Sequence, residues 1–245
     1  IPFGTTAVVY MAQSPRYREV PEQATHVLSV NTLSAVRAAT LARAAGVARF
    51  IYLSTGTVYA PSFLPIAEDS PVRRDNWYAL SKLHGEEAVN LFRQDMEVIV
   101  VRPFGIYGPG QKGRLISTLV GSVQEGKPIT LQPRQEDAGD RDGLNISLCY
   151  IEDATRILIE LVLNGGPRYL NLAGVEVLSI RSIAMAISER LNFQPNFQIA
   201  TSPRDSDLIA DVNLLQRTVK TQFTAFNDGL AAVLAASKNT LLQSH

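Results

Sequence analysis

The hydrophobic positions in the first part of the chain form short apolar runs separated by longer segments of helical periodicity. The runs at residues 7–12, 49–54 and 97–102 have the length and the β-branched and aromatic content of buried strands. Between them, residues 22–45 and 76–94 repeat apolar positions at helical spacing. The order strand, helix, strand, helix, strand predicts parallel strands joined by crossover helices, hence an α/β fold with a doubly wound parallel sheet.

In a sheet of this kind, ligands bind beyond the carboxyl ends of the strands. The residues just after Ala12, Ser54 and Arg102 are therefore expected to line one crevice. Past Gly108 the pattern loosens, with further helices predicted at residues 115–125, 153–163 and 180–191 and a strand near 148–151.

The same pattern divides the chain into two parts. We place a sheet domain at residues 1–107, with residues 148–172 returning to the sheet, and a smaller lobe at residues 108–147 and 173–245.

Charge and composition exclude several classes of protein. Lysine plus arginine total 23, as do aspartate plus glutamate, and no basic run exceeds the pair Arg73-Arg74, so no nucleic-acid partner is expected. No apolar stretch approaches the roughly 18–20 residues that cross a bilayer, so no membrane partner is expected. The histidines are scattered and Cys149 has no disulfide partner, which predicts no metal site and a reducing, cytoplasmic compartment.

Tyr78 and Lys82, in the second predicted helix, are spaced for shared chemistry, because residues four apart lie on one helix face. A free tyrosine titrates near about pH 10, so proton transfer near neutrality requires a stabilised phenolate, and a nearby ammonium stabilises it. The spacing alone is equally typical of an amphipathic helix with a surface lysine.

Hydroxyl side chains follow the strand that precedes this helix. Ser54, Thr55 and Thr57 stand at its carboxyl end, around Gly56. A threonine there can hydrogen-bond a substrate oxygen while a proton passes to a tyrosine. A polar turn that satisfies its own backbone is the alternative, and the motif by itself favours that alternative.

Four separated segments together resemble the extended short-chain dehydrogenase/reductases, the NAD-dependent epimerase/dehydratase family that includes UDP-galactose 4-epimerase. These segments are NTLSAVRAATLARAAGVARFIYLSTGTVYA, YALSKLHGEE, VVRPFGIYGPGQ and YIEDATRILIELV. The resemblance implies a Rossmann-like domain with a smaller C-terminal substrate-binding lobe. It also implies NAD or NADP as cofactor and a homodimer formed through the two long helices.

The resemblance further implies roles for individual residues. Tyr78 is the proton-transfer residue, and Lys82 orients the nicotinamide ribose and lowers the tyrosine pKa. Asn31, at the start of the long helix, has a structural role, with a catalytic one as the alternative. The full assignment is catalytic Thr55, Tyr78 and Lys82; cofactor-binding Ala12, Ser54, Tyr78, Lys82, Pro103 and Ile106; and substrate-binding Thr55, Gly56, Thr57, Phe104, Gly105 and Arg114. For Phe104 the alternative is core packing, and for Arg114 the alternative is a solvated surface position.

The chain departs from the family pattern in several places. It has no T-G-x-x-G-x-x-G turn, which in the family binds the cofactor pyrophosphate at a helix N-terminus. We therefore expect a partial sequence or a truncated form, and either tight NAD binding or its loss is compatible with the residues. Gly56 and Thr57 replace the acidic pair of the nucleotide-sugar dehydratases, which disfavours dehydration. Gly105 replaces a common asparagine, and Asn145 and Ile146 stand near the position of a diphosphate-binding arginine.

The leading hypothesis is an NAD(P)-dependent epimerase or dehydrogenase/reductase of a sugar, with a nucleotide sugar as the expected substrate and Tyr/Lys/Thr-assisted hydride transfer as the chemistry. Two alternatives remain. One is a noncatalytic or truncated binding protein with the same fold, and the other is a reductase of a non-nucleotide carbonyl compound.

Overall fold

Strands and helices alternate through the first part of a computed structural model that describes residues 1–242, and the side chains of residues 1–237. The strands are β1 (Ala7–Tyr10), β2 (Arg49–Leu53), β3 (Glu97–Pro103), β4 (Gly105–Tyr107), β5 (Pro128–Leu131), β6 (Asn145–Tyr150), β7 (Tyr169–Leu172), β8 (Val177–Ser179) and β9 (Asn196–Ile199). The helices are α1 (Ala24–Leu28), α2 (Ser34–Ala44), α3 (Trp77–Asn90), α4 (Leu115–Glu125), α5 (Ile151–Asn164), α6 (Ile180–Leu191), α7 (Asn213–Thr218) and α8 (Phe226–Leu242).

The main sheet consists of β1, β2, β3 and β7 in that order, and every pair is parallel. In its register Val8 lies beside Phe50, and Phe50 lies beside Val98. The predicted α/β fold with a parallel sheet is confirmed.

Apolar residues cover both faces of this sheet, because side chains of a strand alternate between its two sides. On one face Phe50 and Tyr52 pack with the alanines of α2 and with Val89 of α3. On the other, Ile51 and Ile99 pack with α5 and α7. The winding is therefore double, as predicted.

The remaining strands form a second lobe with its own core. A three-stranded sheet has the order β4-β6-β8, and β5 pairs with β9. Helices α4, α6 and α8 contribute Ile116, Ile183 and Leu230 to the core of this lobe.

Of residues 148–172, which were expected to return to the main sheet, α5 packs on that sheet and β7 pairs with β3, but residues 148–150 do not join it. These belong to β6, which pairs with β4 and β8 instead. An apolar strand looks alike in either sheet, so the sequence pattern did not separate the two. The lobe boundary at residue 245 lies outside the described residues.

The helix predicted over residues 22–45 is continuous but irregular, because a π-helical turn, Ser29–Leu33, joins α1 to α2. Helix α3 approaches this turn closely at Gly85, where a Cβ atom would lie 2.7 Å from the Asn31 carbonyl oxygen and would also contact the Tyr52 hydroxyl. That hydroxyl donates to the Asn31 carbonyl at 2.8 Å. The absence of a side chain at Gly85 thus allows α3 and the π turn to pack together.

Candidate active site

A cavity of about 630 Å³ lies beyond the carboxyl ends of β1, β2 and β3. The segments that follow these three strands contribute Gln13, Thr55 and Phe104 to its wall, and α3 contributes Tyr78 and Lys82. This is the crevice expected from the order of strands.

Tyr78 stands in the first turn of α3, whose N-terminus is fixed by Asn76: its side-chain oxygen accepts from the Ala79 N–H at 3.0 Å. The Tyr78 hydroxyl donates to Gln13 Oε1 at 2.9 Å. Burial raises the pKa of Tyr78 above its ordinary value, although its hydrogen bond with Thr55 lowers it in part. At neutral pH the phenol therefore carries its proton.

Lys82, one turn further along α3, is only 1% exposed. Its Nζ donates to the Leu53 carbonyl oxygen at 2.8 Å. Burial lowers the pKa of Lys82 to about 8, against the attraction of Glu86. The expected lowering of the Tyr78 pKa is not found here, since burial dominates that group and the charge that acts to lower its pKa is Arg114.

Thr55 satisfies its own turn and also faces the cavity. Its Oγ1 accepts from the Thr57 N–H at 3.2 Å and donates to the Thr57 hydroxyl at 3.1 Å, which caps a short 3₁₀ turn. The same side chain hydrogen-bonds Tyr78. Thr55 therefore satisfies its local turn while it also forms part of the cavity wall.

Behind the cavity lies a buried ion pair between Arg102 of β3 and Glu86 of α3. Arg102 Nη2 is 2.6 Å from Glu86 Oε2, and Nε donates to Oε1 at 3.1 Å. The guanidinium carbon also lies close to two aromatic rings, 4.7 Å from the Tyr59 centroid and 4.5 Å from that of Tyr169. The Ser54 hydroxyl donates to the same carboxylate, so this pair joins the ends of β2 and β3 to α3.

Asn31 is fully buried in the π turn rather than at the start of the helix. Its Oδ1 accepts from the Ser14 N–H at 2.9 Å, and its Nδ2 donates to the Ser81 hydroxyl at 2.9 Å. It thereby connects the loop after β1 to α3.

Most of the predicted site residues meet at this cavity. Those that line it are Ser54, Thr55, Thr57, Tyr78, Lys82, Pro103, Phe104, Gly105, Ile106 and Arg114. Phe104 both lines the cavity and packs in the core beside Tyr59.

Two predicted residues do not line the cavity. Ala12 does not, whereas its neighbours Met11 and Gln13 do. Gly56 packs beneath Phe104, where a Cβ atom would lie 3.1 Å from the ring. Gly56 is thus a packing position in this structure.

The loop after β1 supplies cavity residues that the sequence analysis did not name. They include Gln13, Tyr17, Arg18 and Val20, and their only signal was the expectation that residues after Ala12 face the crevice. The Tyr17 ring lies 4.9 Å from the Tyr78 ring, and its hydroxyl accepts from Arg114 Nη1.

Two negative findings concern the described residues alone. They contain no group of three or more histidine, cysteine, aspartate or glutamate side chains placed to hold a metal ion. Nor is any helix among them long and apolar enough to span a bilayer.

Comparison with known families matches residues 3–173 to the NAD dependent epimerase/dehydratase family. Among curated proteins, dTDP-4-dehydro-6-deoxy-D-allose reductase of Streptomyces bikiniensis is 28% identical over 206 residues, which cover 76% of this chain and 61% of that enzyme. UDP-glucose 4-epimerase of Mycolicibacterium smegmatis is 38% identical over 87 residues, covering 34% of this chain and 28% of the relative. The chain thus spans about three fifths of the length of the reductase that it matches.

The fold is shared with solved structures. That of MoeE5 in complex with UDP-glucuronic acid and NAD superposes with a TM-score of 0.81 at 24% identity, covering 97% of this chain and 81% of the other. At this identity the likeness is one of fold.

Proposed function

The chain belongs to the NAD-dependent epimerase/dehydratase family, and we propose that it acts on a nucleotide sugar as an NAD(P)-dependent reductase or epimerase. The observation that carries the proposal is the meeting of Thr55, Tyr78 and Lys82 at one cavity beyond the carboxyl ends of the main sheet. The curated relatives, a reductase and an epimerase of nucleotide-linked sugars, support the substrate class.

The residues around Lys82 fit the nicotinamide end of a dinucleotide. Lys82 is buried yet forms part of the cavity wall, and its ammonium, with three donor protons, makes one hydrogen bond among the described residues, to the Leu53 carbonyl. A diol such as the ribose of a nicotinamide nucleotide would accept the remaining protons. Ser54, Pro103 and Ile106, which are likewise expected to contact the cofactor, also line the cavity.

The chemistry that NAD or NADP supplies when bound is reversible uptake of a hydride. The protein's part is proton transfer at the sugar oxygen. Because the Tyr78 phenol carries its proton at neutral pH, Tyr78 is set to donate that proton to a carbonyl oxygen, which is the direction of reduction. The Thr55 hydroxyl, next to Tyr78, would hold the same oxygen.

Epimerisation uses the same groups in both directions. Tyr78 would first accept the proton of a sugar hydroxyl and later return it to the carbonyl oxygen on the same carbon. For that first step the phenolate must form, so the bond from Tyr78 to Gln13 Oε1, which favours the neutral phenol, has to open.

Replacement of the phenol hydroxyl tests the proposal. With NADPH or NADH and a panel of UDP-, GDP- and dTDP-linked keto and hydroxy sugars, we expect Tyr78→Phe to lower turnover by about 10²–10⁴-fold, the usual contribution of a general acid. Cofactor affinity should be nearly unchanged. The matched control is Tyr150→Phe, whose hydroxyl lies outside the cavity with a long 3.5 Å contact to Glu152. Unchanged turnover in Tyr78→Phe would contradict the assignment, as would failure of every sugar in the panel to react.

We further propose that two copies associate through the long helices. Leu33 and Leu41 are exposed on the helix that contains the π turn, and Leu91 is exposed after α3. Exposed apolar side chains of this size commonly mark an interface. Light scattering should give the mass of a dimer for the wild type and that of a monomer for Leu33→Glu/Leu41→Glu.

A further inference from the structure

The wall of the active-site cavity is positively charged. The charged residues that line it are Arg18, Lys82 and Arg114, and no aspartate or glutamate is among its described lining residues. A cavity whose charges are all of one sign attracts ligands of the opposite sign. Its occupant should therefore carry negative charge on the part that lies near these side chains.

Two of these three cations, Arg18 and Arg114, lie near the same aromatic ring, that of Tyr17. The guanidinium carbon of Arg18 lies 5.4 Å from the Tyr17 ring centroid, and that of Arg114 lies 5.5 Å from the same centroid. Arg114 also donates to the Tyr17 hydroxyl. Neither arginine forms an ion pair among the described residues, whereas Arg16, in the same loop, is bonded to Glu19 and Gln23.

The two arginines approach from different parts of the fold. Arg18 belongs to the loop after β1 of the main sheet, and Arg114 precedes α4 of the second lobe. Two positive charges repel each other, and no carboxylate pairs with these two arginines among the described residues. An anion that binds between or beside them would therefore stabilise both. Guanidinium groups suit this task because their paired N–H donors match the oxygens of phosphate and carboxylate.

We infer that Arg18, Tyr17 and Arg114 form an arginine clasp that binds an anionic group of the substrate at the entrance of the cavity. The inference rests on the proposed function and specifies its substrate as one with a phosphate or carboxylate at this point. In a nucleotide sugar the anion is either the diphosphate or the carboxylate of an acidic sugar, and both offer the same oxygens to an arginine.

Binding measured without turnover tests the clasp directly. The probes are inorganic pyrophosphate, UDP, UDP-glucose and UDP-glucuronic acid, titrated by calorimetry into the wild type, Arg18→Ala, Arg114→Ala and Arg37→Ala. Arg37, an exposed arginine on α2 away from the cavity, is the matched control. Thermal unfolding should be alike in all four proteins, since the exchanged side chains are exposed.

Each clasp variant is expected to weaken binding by about tenfold or more, the usual effect of losing a charge-assisted hydrogen bond, while Arg37→Ala binds as the wild type does. A loss shared by UDP-glucose and UDP-glucuronic acid identifies the diphosphate as the anion, and a loss confined to UDP-glucuronic acid identifies the sugar carboxylate. Either result supports the clasp.

Equal affinities in Arg18→Ala, Arg114→Ala and Arg37→Ala would overturn the clasp and leave the proposed function intact, as expected if both are ordinary surface arginines. If nucleotide sugars fail to bind but pyrophosphate binding still depends on both arginines, the clasp stands and the proposed substrate class fails. Absence of binding by every probe would refute the clasp.

Discussion

The buried ion pair behind the cavity permits a quantitative prediction for Glu86→Gln. The Glu86 side chain is completely buried, that of Arg102 is 5% exposed, and the carboxylate accepts from Nε and Nη2 of the arginine and from the Ser54 hydroxyl. Glutamine has nearly the same shape, but it removes the negative charge and replaces one acceptor with a donor. Arg102 then keeps its positive charge in a buried site without a counterion.

The arginine cannot escape this cost by losing its proton. In the wild type the hydrogen bonds and attraction of Glu86 raise the pKa of Arg102 further; in the variant that contribution is lost, but a guanidinium titrates above about pH 12 and stays protonated in proteins. Removing one partner of a buried pair typically costs about 3–5 kcal/mol. At roughly 2–4 °C per kcal/mol for a protein of this size, the melting temperature should fall by about 6–20 °C.

Urea unfolding followed by circular dichroism measures this effect. The control is Glu87→Gln, the neighbouring residue on α3, whose side chain is 54% exposed and lies 3.5 Å from Arg74; it should change the free energy of unfolding by less than about 1 kcal/mol. Exchange of both partners, Glu86→Leu with Arg102→Met, should recover most of the loss, because apolar side chains replace a buried pair at little cost. A Glu86→Gln protein as stable as Glu87→Gln would refute the reasoning.

Two further predictions concern α3. Lys82→Met should raise the free energy of unfolding at pH 7, because the wild type buries a charge there whose pKa is lowered to about 8 from 10.5. Below pH 8 that cost is present in full. Between pH 8 and 10.5 only the unfolded chain still holds the proton, so wild-type stability rises with pH and the gain from methionine, measured by urea unfolding, should shrink. Gly85→Ala should lower stability by about 1–3 kcal/mol through its clash with Tyr52 and Asn31, whereas Gly121→Ala on α4, where a Cβ atom meets nothing within 4 Å, should be neutral or stabilising by about 0.5–1 kcal/mol. A pH-independent gain in the first case, or equal stabilities of the two alanine variants in the second, would contradict these expectations.

The fold could be predicted from the sequence because periodicity and order determine it. Short β-branched runs such as residues 97–102 cannot be surface helices, and their alternation with amphipathic helices leaves a parallel sheet as the solution. The pairing of β6 could not be predicted, since partners in a sheet are chosen by contacts distant in sequence.

The site was predictable to the extent that it follows from helix spacing and strand ends. The spacing of Tyr78 and Lys82 placed both at the cavity, but the direction of the Tyr78 pKa shift depends on burial, which spacing does not report. The contact of Tyr17 with Arg114 joins residues 97 positions apart and leaves no local pattern in the sequence.

The π-helical turn at Ser29–Leu33 has a consequence for changes in chain length. Such a turn amounts to an α-helix into which one residue has been inserted, so the flanking segments keep their faces toward the sheet while the turn itself bulges. Removing a single residue there would leave α1 and α2 able to form a regular helix and would withdraw Asn31 from Ser14 and Ser81. At this place the link between the loop after β1 and α3 is set by the number of residues as much as by their identity, and homologous chains that differ by one residue here should keep the sheet but hold that loop differently.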